Sequence, residues 1–163
     1  MRVLTANRHA HYVAPFGQLT VVGDGRSLRA LSLSHQDLRA EYGEPDPSRF
    51  GDVFAQLTAY FAGRLERFDL SLAPEGTPFQ RRVWSGLRTI PYGETRSYGW
   101  LARSLEPPSV ARAVGQANGA NPIAIVIPCH RVIGANGDMV GFGGGVPIKR
   151  WLIAHESAQM GLL

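Results

Sequence analysis

Cys129 is the only cysteine among the 163 residues, and His130 follows it directly. A thiol with a pKa of about 8.5 must lose its proton before it can attack carbon, and an imidazole that accepts the proton supplies the thiolate. Pro128 fixes the approach to the thiol, and Arg131 adds positive charge after it. A histidine acting as base usually needs a carboxylate to orient the ring and steady its charge. Glu156, from the pair His155-Glu156 near the C-terminus, is one candidate. A solitary cysteine is more often a small buried hydrophobe than a nucleophile. The histidine and arginine beside Cys129 argue for chemistry.

Downstream lies Gly141-Phe142-Gly143-Gly144-Gly145. Glycine lets main-chain N–H groups come close to a ligand. The spacing is not Gly-x-Gly-x-x-Gly, so a lid or a pocket wall is expected rather than a phosphate cradle. No group of Cys, His and acidic residues has metal-ligand spacing. His9 and His11 are expected at the surface, and no metal or other cofactor is predicted.

The charge is uneven. Residues 1–76 carry eight basic and nine acidic side chains, whereas residues 77–163 carry nine basic and four acidic ones. The whole chain is +4, and its positive half is the half that holds the thiol. A positive face suits a polyanion, although this excess is modest. The bases are arginines except for Lys149. With 44% hydrophobic and 18% charged residues, a folded chain is expected and wholesale disorder is excluded. One cysteine excludes an internal disulfide framework and fits a reducing compartment. No apolar run reaches the ~18 residues of a membrane span. The first residues lack an apolar signal region, which predicts a cytoplasmic protein.

The elements that must position Cys129 can be read from periodicity and caps. Residues 11–33 alternate around turns at Pro15-Phe16-Gly17 and Gly23-Asp24-Gly25, predicting an antiparallel meander. Ser48 is expected to cap a helix whose apolar positions Val53, Phe54, Leu57, Tyr60 and Phe61 fall at helical spacing and which ends at Gly63; residues 68–72 suit a strand. Pro74-Glu75-Gly76 marks a boundary. Thr77-Pro78-Phe79-Gln80 then spells a cap, a first-turn proline and a capping-box glutamine, opening a helix that buries Phe79, Val83, Trp84 and Leu87. Ser97 is expected to cap a helix to about Leu105, and Ser109 another over residues 110–118, with Glu106-Pro107-Pro108 as the turn between them. The pair reads as helix-turn-helix. The second helix is small on most sides (Ala111, Ala113, Gly115, Ala117, Gly119) and carries only Arg112 as a charge. Close helix packing and close approach to a groove both account for this. Residues 123–127 are continuously apolar and predict a buried strand that delivers the thiol. Pro147 should open a last helix with Ile148, Trp151 and Leu152 inward.

Pro128-Cys129-His130-Arg131-Val132 after Asn121-Pro122 resembles the active-site signature of the O6-alkylguanine-DNA alkyltransferases. Pro91-Tyr92-Gly93, Ser97-Tyr98, the block 111–115, the Gly-Gly pair and Ala154-His155-Glu156 extend the resemblance over residues 77–156. It implies an α+β fold: a small ribonuclease-H-like α/β domain over residues 1–76, then a mainly helical domain over 77–163 with a winged helix-turn-helix-like motif. It implies direct-reversal DNA repair, in which Cys129 takes the alkyl group from guanine O6 after the nucleotide is flipped out. The product is a thioether, so one turnover per chain is expected, and O4-alkylthymine is a further candidate substrate.

By the same resemblance, His130 draws the thiol proton through a water, Glu156 holds His130, Asn121 ties down the active-site turn, and Tyr98 offers its hydroxyl to the leaving base. Arg112 fills the gap in the stack, with Ala111, Ala113, Gly115, Ser97 and Arg131 as further DNA contacts. Tyr98, Val132, Val140, Phe142 and Gly143 form the base pocket. The implied partner is double-stranded DNA, bound through the minor groove with low sequence specificity by a chain that is monomeric in solution; cooperative assembly on DNA stays open. Phe142 and Gly143 depart from the tyrosine and serine of other members, leaving pocket width open. A damage-binding protein without transfer is the main alternative, but such proteins replace the cysteine. A Cys-His hydrolase would turn over repeatedly, and a helix-turn-helix regulator would need no thiol.

Overall fold

The computed structural model describes residues 6–33, 40–139 and 145–159. The chain divides into two compact units, Met1–Glu75 and Gly76–Leu163. In the first, β1 (Arg8–Ala14), β2 (Gly17–Gly23) and β3 (Leu28–Ser32) form an antiparallel sheet in that order. Leu19, Val21 and Leu31 are buried, and so are Thr20 and Val22, which point to the opposite face of the central strand β2. Helix α1 (Gly51–Phe61) packs on β1 through Tyr12, whose ring lies 5.7 Å from Phe54 and whose hydroxyl bonds Thr58 Oγ1 at 2.8 Å. Gly63, at φ 76°, closes the helix as expected. Ser48 does not cap it. A 3-10 turn, Pro47–Phe50, leads into the helix, and Ser48 bonds Asp46 instead. Residues 68–72 supply a single bridge, Leu28 to Leu72, rather than a strand.

The second unit is helical. Thr77 and Gln80 form the expected reciprocal cap of α2 (Pro78–Leu87): Thr77 Oγ1 accepts from Gln80 N at 3.1 Å and Gln80 Oε1 from Thr77 N at 2.9 Å. Val83, Trp84 and Leu87 are buried, while Phe79 is half-buried beneath Arg82. Ser97 caps α3 (Tyr98–Ser104) through Trp100 N. α2 and α3 run so close that a Cβ on Gly86 would meet Leu101 Cδ1 at 2.9 Å. α4 (Ala111–Gly119) follows, and Val110 rather than Ser109 is its N-cap residue. Ser109 lies one position before it, its backbone N–H donating to Ala102 O at 2.9 Å. Trp84 holds α4 from behind: its buried indole N–H donates to Ala117 O at 2.9 Å.

Residues 123–127 do not form the expected strand. They are buried, but fold as successive turns closed by Ile127 N to Ile123 O at 3.0 Å, with Ile125 at φ 72°. A β-branched residue rarely adopts that conformation. Asn121 brackets the turn, its Nδ2 donating to Ile127 O at 2.8 Å and its Oδ1 accepting from Ile123 N at 3.0 Å. A side-chain amide thus satisfies backbone groups that a neighbouring strand would otherwise have to meet.

Beyond Cys129, β5 (Val132–Ile133) pairs in parallel with β4 (Arg96–Ser97), which sets the chain after the thiol beside the start of α3. The last helix, α5, runs Val146–Gln159. It buries Lys149, Leu152 and Glu156, leaving Ile148 and Trp151 only half-buried, so its inner face is rotated from expectation. Charge chemistry, described below, sets that rotation. Trp84→Phe should lower stability by about 2 kcal/mol through the lost hydrogen bond and ring volume, as read by chemical denaturation. Unchanged stability would mean that the indole bond to α4 contributes nothing.

Candidate active site

Cys129, His130 and Arg131 form one 3-10 turn immediately after the Asn121-bracketed segment. Successive residues of such a turn point about 120° apart, so three adjacent side chains reach three directions. Cys129 is 5% exposed and His130 fully buried. His130 Nε2 lies 2.8 Å from Glu156 Oε2. Arg131 grips the same carboxylate with two bonds, Nε to Oε1 at 2.8 Å and Nη2 to Oε2 at 3.1 Å, and its Nη1 donates to Ile90 O at 2.8 Å. The guanidinium also lies 5.6 Å from the centroid of the Tyr92 ring. Bidentate arginine–carboxylate pairs are the strong form of this contact.

This geometry fixes the histidine tautomer. Burial pushes the Glu156 carboxyl up, but His130 and Arg131 together outweigh it and hold the group well below the usual carboxylate range. An ionised carboxylate only accepts, so His130 Nε2 carries the proton and donates it to Glu156. Nδ1 is then a bare lone pair, and it has no protein partner among the described residues. Burial lowers the basicity of His130, and Glu156 pulls the other way. Burial likewise pushes the Cys129 thiol up, against the Asn121 amide and the Lys149 ammonium.

Lys149 is a site residue that the sequence reading did not assign. It is fully buried, its Nζ donates to Val132 O at 2.6 Å, and it lies 5.8 Å from the Tyr98 ring centroid. Two signals pointed to it: it is the only lysine in the chain, and it stands seven residues before Glu156, which puts both on one helix face. Asn118 was missed as well. It is buried, with Nδ2 reaching Cys129 O at 3.5 Å, and its amide faces the Tyr98 hydroxyl. Burial raises the Tyr98 phenol, as does its nearness to Cys129.

The other expected residues divide. Tyr98 is half-buried, its ring 3.9 Å from where a Cβ on Gly115 would stand. Val132 is fully buried beside the thiol turn. Ala111 and Arg112 are exposed at the start of α4, with Ala113 and Gly115 half-buried. Ser97 is half-buried and engaged as the α3 cap. Arg131 stands against its expected place on DNA: its guanidinium points inward and its hydrogen-bonding edges are occupied, because Glu156 needs a cation more than the surface does. Val140, Phe142 and Gly143 lie outside the described residues. Among the described residues, no three His, Cys, Asp or Glu side chains gather to hold a metal ion, and no helix is long and apolar enough to cross a membrane.

Comparison with known proteins bears on this arrangement. Residues 78–158 match the family model described as 6-O-methylguanine DNA methyltransferase, DNA binding domain, and residues 7–74 match its ribonuclease-like domain. The chain belongs to this methyltransferase family. It is 51% identical over 149 residues to a methylated-DNA–protein-cysteine methyltransferase of Mycobacterium tuberculosis, covering 90% of each chain. A protein of the same description from Methanosarcina acetivorans is 44% identical over 153 residues, covering 92% and 98%. The crystal structure of the Mycobacterium tuberculosis O6-methylguanine methyltransferase superposes with a TM-score of 0.88 at 48% identity, covering 94% of each chain. A structure of that organism's protein in complex with DNA gives 0.85 at 50% identity, covering 94% and 93%. The α+β architecture expected from the signature is therefore that of the family.

Both shifted groups act in the same direction on stability. Glu156 is held below its usual 4.5 and His130 below its usual 6.5, so the unfolded chain binds each proton first as pH falls. The associated stability is complete above a pH of about 6.5 and is lost on acidification through 6.5 and then 4.5. The melting temperature should fall between about pH 7 and pH 4. Glu156→Gln should flatten the lower part of that fall and cost about 3 kcal/mol at neutral pH by stranding Arg131. Melts across pH that superpose for the two proteins would refute the ion pair's role.

Proposed function

We propose that this chain repairs alkylated DNA by moving the alkyl group of O6-alkylguanine onto Cys129. The observation that carries the reading is the buried series Arg131, Glu156, His130, which ends in an imidazole lone pair with no partner among the described residues, on the residue that follows the only cysteine. In the resting site the thiol is protonated and unreactive. A water between Cys129 and His130 Nδ1 relays the thiol proton to the ring, and Glu156 steadies the imidazolium that results. The thiolate sulfur attacks the alkyl carbon, the carbon–sulfur bond forms as the carbon–O6 bond breaks, and the electron pair leaves with guanine. The Tyr98 hydroxyl donates to the ring of the departing base, with the Lys149 ammonium 5.8 Å from the centroid of its ring. Asn121 holds the turn so that the sulfur cannot recoil.

The product is a thioether, which water does not cleave, so each chain acts once. Guanine O6 is inaccessible in a duplex, and the nucleotide must be turned out of the stack. Arg112, exposed at the start of α4, fills the gap it leaves. Ala111, Ala113 and Gly115 let the helix lie close in the minor groove, where readout is degenerate, which suits damage in any sequence. In this division of labour residues 77–163 carry the chemistry and the DNA contact, and residues 1–76 support them. O4-alkylthymine presents the same alkyl ether to the thiolate and is a second candidate substrate.

Intact mass after incubation with O6-methylguanine duplex, or with free O6-benzylguanine, tests the reading. One alkyl adduct on Cys129 with an equal amount of guanine released is the expected result. No adduct would favour a damage-binding protein, and product in excess of protein would indicate a hydrolase. Cys129→Ser should abolish transfer and retain duplex binding. Arg112→Ala should slow transfer from duplex by about tenfold or more and leave transfer from the free base nearly unchanged, as measured by single-turnover kinetics.

A further inference from the structure

Asn118 is a polar side chain buried where an apolar one would leave nothing unpaired. It is 2% exposed near the end of α4, and its Oδ1 has no hydrogen-bond partner among the described residues. A buried polar atom left unsatisfied costs the fold the solvation it gave up. The orientation of the amide is nonetheless fixed. The Cys129 carbonyl can only accept, so the Asn118 nitrogen faces it, with Nδ2 reaching Cys129 O at 3.5 Å. Turning the amide over would set two carbonyl oxygens against each other.

The same nitrogen carries a second N–H. Gly115 and Asn118 are three positions apart on α4 and share a face. Ring carbons of Tyr98 lie 3.9 Å from where a Cβ on Gly115 would stand, so the ring lies along this face, and the amide faces its hydroxyl. Burial and the nearby Cys129 raise the Tyr98 phenol, and the amide opposes them. A phenol oxygen that accepts a hydrogen bond directs its own proton elsewhere. We propose that Asn118 is a positioning residue for Tyr98: anchored on the Cys129 carbonyl, its amide donates to the phenol oxygen and so turns the hydroxyl proton toward the departing base. The inference rests on the repair reading and deepens it, adding the group that sets the direction of the proton donor. One amide then ties the main chain of the nucleophile to the donor that serves the leaving group. Leucine would fill the same space with no unsatisfied atom, so the asparagine is retained at the expense of fold stability.

A double-mutant cycle on single-turnover transfer from free O6-benzylguanine tests this role. Asn118→Leu should slow the saturating rate by about tenfold, the effect of one directed hydrogen bond. The half-saturation concentration should stay within about twofold of wild type, because the interaction acts on the leaving step. Tyr98→Phe, which removes the hydroxyl, should slow transfer by about a hundredfold. In the Tyr98→Phe background, Asn118→Leu should cost less than about twofold more, since the amide then has no phenol oxygen to direct. Asn118→Ala is carried through the same cycle, so that a leucine that disturbs the fold does not decide the outcome. Losses that multiply in both cycles overturn the proposal, as does a wild-type rate in Asn118→Leu or a loss confined to half-saturation. A wild-type chain that takes no alkyl group overturns the repair reading and this role together, whereas a wild type that transfers while the losses multiply overturns this role alone.

Discussion

A buried carboxylate shared by an arginine and a histidine is the constraint on which the site depends. Glu156 is 2% exposed, and an ion taken out of water is costly unless its partners are well placed. Arg131 meets both carboxylate oxygens, and His130 bonds one of them. Removing either partner leaves the other uncompensated, so the three side chains hold together or fail together. The same pairing keeps Glu156 ionised, and that in turn decides which nitrogen of His130 bears the proton. Arg131 thus sets the direction of the imidazole without touching the thiol.

The last helix is attached largely by charge. Lys149 and Glu156 lie on one face of α5, with Leu152 between them. Lys149 caps the Val132 carbonyl and Glu156 binds the two side chains that follow Cys129. The segment Cys129–Val132 is therefore clamped from one side by α5 and from the other by β4, which pairs with β5. A hydrophobic face alone would tolerate sliding, whereas directional bonds to an ammonium and a carboxylate do not. This suits the role proposed for Cys129, which requires the sulfur to meet a carbon at a defined distance.

The turn before Cys129 shows how strain is sustained. Ile125 adopts a positive φ inside a wholly buried segment, and the Asn121 amide supplies the backbone partners that keep it there. Trp84 holds α4 by one indole bond to Ala117 O. The start of α4 is left without a side-chain cap. Stability is concentrated behind the site and conceded at the surface that faces outward.

Much of this was legible in the residues themselves. The Thr77–Gln80 box, the Ser97 cap, the meander and the signature around Cys129 all act within three or four positions, and the chain displays them directly. The long-range pairings were not legible in the same way. Arg131 reaches Glu156 across 25 positions and Ile90 across 41, and nothing in its neighbourhood says that it turns inward. The apolar run 123–127 reads as a strand because periodicity reports burial and not the backbone path; Asn121 alters that path by supplying its hydrogen bonds. The rotation of α5 hid for a similar reason, since a buried lysine and glutamate look like surface residues until their partners are known. The sequence alone determined the family and the caps at Thr77 and Ser97. Tertiary packing decided which charges are buried together, because the cost of burying a charge depends on the partners that the fold brings to it.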